Sequence, residues 1–149
     1  MPLEVPEGVQ AFNLWTVLIM ARLWDEFPHP QYFHSSPTVV LVTSDQTKAG
    51  SPIGQPGPDQ VRYFINTLRW LIDEGFARGV AHVAGDFAGV ILSKTGFSIL
   101  DEVPRSVAPK LEAAPEKNLG TLMREAAATQ LGALAASLVE KMLGIERHN

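Results

Sequence analysis

Arg62, Asn66, Thr67 and Arg69 lie close together between residues 62 and 70, interleaved with Tyr63 and Trp70. Arg and Asn are the side chains that hydrogen-bond bidentately to guanine and adenine edges, and Thr bonds to several bases. Tyr, Trp and Arg are also the residues that dominate binding energy at protein interfaces. One stretch thus carries the chemistry of two different ligands. Arg78 and Lys94 add cations further along, and Phe87 adds an aromatic ring. From residue 60 to 95 the positive groups are Arg62, Arg69, Arg78 and Lys94, and the negative ones Asp73, Glu74 and Asp86, a net +1 within a chain of net −4. This is the less acidic part of the protein, but not the basic patch that a nucleic-acid binder carries.

Other chemistries have weaker signatures. Of the four histidines, His29 and His34 bracket the stretch HPQYFH. Two His in a loop could ligate a metal, but no ligand spacing and no cysteine support it, so no metal or other cofactor is expected. The acidic pairs Asp25-Glu26, Asp73-Glu74 and Asp101-Glu102 are helix-end neighbours, which do not face one another as acid–base pairs must. Gly54, Gly57 and Gly85 are not followed by the Lys-Ser/Thr of a phosphate loop, and no serine sits in a nucleophile elbow. The expectation is a non-enzymatic binding protein without catalytic residues.

The bulk properties fit one domain with a real core: 149 residues, 46% hydrophobic and only 19% charged. The absence of cysteine suits the cytoplasm. The start MPLEVPEGVQAF has no basic residue of the kind that opens a secretory signal. The most apolar run, 12–27, is interrupted by Thr16, Arg22, Asp25 and Glu26, so no membrane contact is expected.

The elements that must position the candidate residues can be read from periodicity. Residues 12–27 form a helix that is apolar almost all round and so buried on most sides, stopped by Pro28 and Pro30. Thr38 to Val42 is rich in β-branched residues and reads as a short strand. Residues 43–58 are rich in Gly, Pro and Ser and read as a flexible loop. In the helix expected from Asp59, its N-cap, to Glu74, the residues Val61, Phe64, Ile65, Leu68, Leu71 and Ile72 share one apolar face. The opposite face then centres on Tyr63, Asn66 and Trp70, with Arg62, Arg69, Asp73 and Glu74 beside them. Either Tyr63 and Trp70 are covered by another helix, or they are anchors for a partner. Gly75 stops the helix; a β-hairpin follows, with AGDFAG (84–89) at its turn and Val90 to Leu92 returning. Ser93 caps a short helix carrying Phe97, Ile99 and Leu100, which Pro104 ends. Residues 107–115 are a linker, and 116–149 hold a long C-terminal helix, Glu116 to Leu143. That helix carries an apolar stripe of Leu131, Leu134, Leu138, Met142 and Ile145 and a small-residue stripe of Ala128, Gly132 and Ala136, fit for a dimer seam or for docking on the first helix.

Two segments, TLRWLIDEGFARG and GVILSKTGFSILDEV, resemble the recognition-helix end and wing of the winged helix-turn-helix superfamily, with Leu92, Ser93, Gly96 and Leu100 similar to a pattern of MarR-like regulators. The likeness spans residues 59–103 and departs where a brace helix should precede the recognition helix. It implies an α+β, mainly helical fold: a winged-helix-like domain over 1–106, a small hairpin wing, and a C-terminal helix that makes a homodimer. It implies a transcriptional regulator reading double-stranded DNA with Arg62, Asn66, Thr67 and Arg69 on the helix and Arg78 and Lys94 on the wing. The alternative is an adaptor or neutralising module that grips a protein with Tyr63, Trp70 and Phe87.

Overall fold

The computed structural model describes residues 6–34, 58–82, 85–102, 117–129 and 132–144. These form five helices and a three-stranded antiparallel sheet, so the chain is mainly helical α+β.

Helix α1, Glu7–Glu26, is the spine. Trp15, Val17, Leu18, Ile19, Met20, Ala21 and Leu23 are all buried, on every side of the helix. The reason is its neighbours: α2 (Pro58–Asp73), α4 (Leu119–Thr129), α5 (Gly132–Leu143) and the sheet all pack on it. An all-round apolar helix is stable in water only when it is enclosed like this. It starts a full turn before Phe12, at polar residues whose pattern does not announce a helix.

Strand β1, Gln31–Phe33, precedes α2, with β2, Ala77–Ala81, and β3, Phe87–Leu92, after it. The order is β1-β3-β2. The strand expected at Thr38 to Val42 and the loop at 43–57 lie outside the described residues. The hairpin turn is shorter than expected, because Phe87 to Gly89 belong to β3. Between Arg78↔Ile91 and Val80↔Ala88 the register shifts by one residue, at Gly89 with φ +63°. This is a bulge with glycine in the left-handed region. It places Phe87 and Val90 on the same buried face although three positions separate them.

Helix α2 begins at Pro58, so Asp59 lies in the first turn and not at the cap. Phe64, Leu68 and Leu71 are fully buried, and Val61, Ile65 and Ile72 are half-buried. The helix stops as expected at Gly75, φ +87°. Phe76 N donates to Leu71 O at 2.9 Å and Gly75 N to Ile72 O at 3.1 Å, the paired bonds of a Schellman stop. The short helix α3, Lys94–Leu100, is capped by Ser93, whose Oγ accepts from Gly96 N at 2.9 Å and donates to Gly75 O at 2.5 Å. One serine thus ties the end of α2 to the start of α3.

Among the described residues, the segment expected to be one long C-terminal helix holds two, α4 and α5. Asn118 Oδ1 accepts from Thr121 N at 2.9 Å and caps α4. Leu119, Leu122, Met123, Ala126 and Ala127 of α4, and Ala135, Leu138, Val139 and Met142 of α5, are buried in the core that α1 organises. The docking on the first helix expected for this segment is present, while the side chains of Ala128, Leu131, Gly132, Leu134 and Ile145 from its expected stripes lie outside the described residues. Arg124 and Asp25 add an exposed ion pair across α4 and α1 at 2.9 Å. The linker at 107–115 lies outside the described residues.

Candidate functional site

The wheel of α2 sorts its side chains into three arcs. Phe64, Leu68 and Leu71 face the core. Arg62, Asn66 and Arg69 fall on consecutive turns of the outermost arc and are exposed. Between these arcs lie Tyr63, Thr67 and Trp70, on the side facing the start of α1. There the helices enclose an open groove of about 400 Å³, lined by Gly8 and Phe12 of α1 and Tyr63, Asn66, Thr67 and Trp70 of α2.

The groove's aromatics are held in place. Trp70 meets the edge of Phe12 at 5.0 Å between ring centroids, nearly perpendicular, and stacks on Phe76 at 6.0 Å. It remains 36% exposed. Tyr63 is half-buried, and its hydroxyl donates to Glu7 Oε2 at 3.0 Å, bridging α2 to the first turn of α1. Each ring is partly covered by the first helix, and each still lines a surface open to solvent.

Two candidate residues must be corrected. Thr67 is only 4% exposed and forms the floor of the groove, so it does not project beside Asn66. Phe87 is only 1% exposed. It is not at the hairpin tip, because the bulge at Gly89 turns it inward; its ring cannot serve as an exposed anchor. The cations are also divided. Arg78 is exposed on β2 opposite Ile91, at the base of the hairpin. Lys94 follows Ser93, whose N–H donates to Phe76 O. Both therefore lie by the C-terminal end of α2, where Asp73 and Glu74 are exposed, whereas Arg62 is more than three turns back along the helix.

Gly8 and Phe12 were not legible as site residues. Starting the helix at Phe12 leaves Gly8 outside it, and the pairing of α1 with α2 is not a local signal. Gly8 is roomy: a Cβ there would meet only Tyr63 Cε1, at 3.8 Å.

A second polar cluster lies on the sheet. Tyr32 Oη donates to Asp86 Oδ2 at 2.6 Å, and its ring meets His34 at 4.9 Å. The hydrogen bond to Asp86 raises the Tyr32 pKa above its ordinary value. Behind it, the half-buried Arg22 donates to Gln31 Oε1 at 3.0 Å and lies over the Phe33 ring; desolvation lowers its pKa. His29 and His34 are both exposed, and among the described residues no cluster of His, Asp and Glu could hold a metal ion. No described helix is long and apolar enough to cross a membrane. The chain matches no family model, no curated protein and no solved structure.

Proposed function

We propose that this chain is a small non-enzymatic, winged-helix-like interaction module that binds a protein partner through the groove between α1 and α2. The observation that carries the reading is that groove itself: the Tyr63 and Trp70 rings of one helix, held by contacts with the other, beside a wall of Gly8 and Phe12. Rigid aromatics beside arginine are what interface hot spots are made of, because little side-chain entropy is lost on binding. The polar groups that converge on the groove are few, Asn66, Thr67 and the Tyr63 hydroxyl already bonded to Glu7. Small-molecule sites fix their ligands with a set of placed polar groups. The winged-helix-like reading of the fold is supported by the element order helix, strand, helix, hairpin and by the sheet order β1-β3-β2.

Duplex DNA is the second reading, favoured by Arg62, Asn66 and Arg69 on consecutive exposed turns of one helix. Against it stand the separation of Arg78 and Lys94 from Arg62 and the carboxylates of Asp73 and Glu74 at the same end of the helix.

The test uses the wild type, Trp70→Ala, and the double variant Arg62→Ala/Arg69→Ala. Each serves as bait for proteins of its source cell, and each is titrated against a labelled random duplex at low and near-physiological salt. The proposal expects a protein that the wild type retains and Trp70→Ala loses. Duplex binding that weakens steeply with salt and disappears in the double arginine variant would replace it with the DNA reading.

A further inference from the structure

Resting on the reading of the groove as a protein-docking site, we infer that its occupant is an uncharged, proline-rich segment in the polyproline II conformation, with prolines three residues apart seated at Tyr63 and Trp70. Three features of the lining specify that chemistry. The first is its charge and its rings. Gly8, Phe12, Tyr63, Asn66, Thr67 and Trp70 are all uncharged. The carboxylate of Glu7, next to Gly8 in the chain, is engaged by the Tyr63 hydroxyl. The groove therefore offers an ionic side chain no counter-charge, and its occupant carries none on the docking face. Half of the lining residues are aromatic. Aromatic-lined grooves take polyproline II segments because pyrrolidine rings pack on flat apolar faces and the segment is already ordered before it binds.

The second feature is spacing. Tyr63 and Trp70 are seven residues apart on one side of α2, which is about 10.5 Å along the helix. One turn of polyproline II is three residues, about 9.3 Å. A proline at each ring thus matches the repeat of the segment with two residues between. The lining residue on α1 at position 8 is a glycine, so the backbone of the occupant can come close on that side.

The third feature is hydrogen bonding. Asn66 and Thr67 lie on α2 between the two rings, and neither side chain makes a hydrogen bond among the described residues. Thr67 is only 4% exposed, and it lines the groove, so the groove is where its hydroxyl meets a partner. The Asn66 amide and the Thr67 hydroxyl are both donors. A proline-rich backbone is rich in acceptors and poor in donors, since proline has no N–H and polyproline II makes no internal hydrogen bonds. The carbonyls between the two prolines accept from Asn66 Nδ2 and Thr67 Oγ1. A helical occupant keeps its carbonyls in its own ladder and would cover the Asn66 amide without replacing the water it loses.

The test uses three fluorescein-labelled peptides of equal length and no net charge. One carries Pro-x-x-Pro, one has the same composition with its prolines two residues apart, and one is a stapled helix with a leucine face. Anisotropy gives affinity, and amide shifts of the ¹⁵N-labelled full chain give location. The Pro-x-x-Pro peptide is expected to bind best, the other two at least about tenfold more weakly, with shifts centred on Gly8, Phe12, Tyr63, Asn66 and Trp70. Asn66→Asp keeps the shape of an exposed side chain and removes its donors, and should weaken that peptide by about tenfold. Gly8→Leu fills the groove from a position where a side chain has room, and should weaken it by at least as much while circular dichroism shows the fold kept. Equal binding of the two proline peptides, or tighter binding of the helix, would overturn the inference and leave the docking reading standing. Affinity unchanged by both substitutions, or no shift at any groove residue up to about 1 mM peptide, would overturn it as well. In that case the docking reading still stands if the capture experiment yields a protein that Trp70→Ala loses, and falls with it if none is captured.

Discussion

Replacing Trp70 with alanine separates packing from recognition, and its cost can be worked out beforehand. The indole is 36% exposed, so roughly two-thirds of it is covered. A tryptophan side chain offers about 200 Å², so about 130 Å² of mostly apolar surface is covered here. At about 25 cal/mol per Å² this contributes ~3 kcal/mol, as an upper figure. The contacts with Phe12 and Phe76 add about 0.5–1.5 kcal/mol each where geometry is good. Alanine returns ~0.5 kcal/mol in helix propensity and keeps its own Cβ packing. The open groove also lets neighbours and solvent close over the site, so no sealed cavity is left behind. Because the area figure is an upper one, the net expectation is a loss of about 3–4 kcal/mol, measured by urea unfolding followed by circular dichroism with the slope unchanged. Trp70→Phe should recover about half. Under conditions where Trp70→Ala is still fully folded, loss of partner binding by about 30-fold or more marks a hot spot. A stability loss of ~5 kcal/mol would mean that the ring is core and the groove closed. A loss below ~0.5 kcal/mol would mean that the contacts with Phe12 and Phe76 do not form in solution. Either result refutes the groove as drawn.

Four further substitutions test the frame that holds the groove. In Gly96→Ala the new Cβ would sit 1.9 Å from Phe76 O, so α3 must move off the end of α2; a loss above ~3 kcal/mol is expected in urea unfolding. Ser93→Ala removes the cap of α3 and its bond to Gly75 O, and should cost about 1–2 kcal/mol in the same assay. Thr16 is fully buried and its Oγ1 makes no hydrogen bond among the described residues; the near-isosteric Thr16→Val should therefore stabilise by about 1 kcal/mol, and a loss would reveal a partner for the hydroxyl. The Tyr32 pKa is raised by its hydrogen bond to Asp86. A raised folded value stabilises the protein below the unfolded tyrosine pKa, and that contribution is lost as pH rises through the folded value. Ultraviolet titration should show Tyr32 ionising late, and Asp86→Asn should bring it back towards its ordinary value.

The elements legible in the sequence are those whose signals are local. The apolar period from Val61 to Ile72 found α2, the positive φ required at Gly75 found its stop, and Ser93 found the cap of α3. The misreadings have physical causes as well. Gly85, Asp86 and Gly89 are turn-forming residues and so place Phe87 within the turn, whereas Gly89 is a bulge inside β3 and Phe87 belongs to the strand.

The site divides along the same line. Arg62, Asn66, Arg69 and Trp70 are legible because the face opposite a well-defined apolar stripe must point to solvent. Thr67 shows the limit of that argument. On an isolated wheel it belongs to the outer half, but a second helix crossing on that side buries it. The width of a buried arc depends on how many neighbours a helix has, and that is a property of the whole fold. The same crossing makes the groove. Phe12 could be recognised as apolar from its type alone, but only the packing of α1 on α2 turns it into the wall that fixes Trp70. The groove is therefore the margin of the chain's own core: the strip of α2 that α1 covers incompletely, because α1 presents Gly8 where a larger residue would have closed the gap.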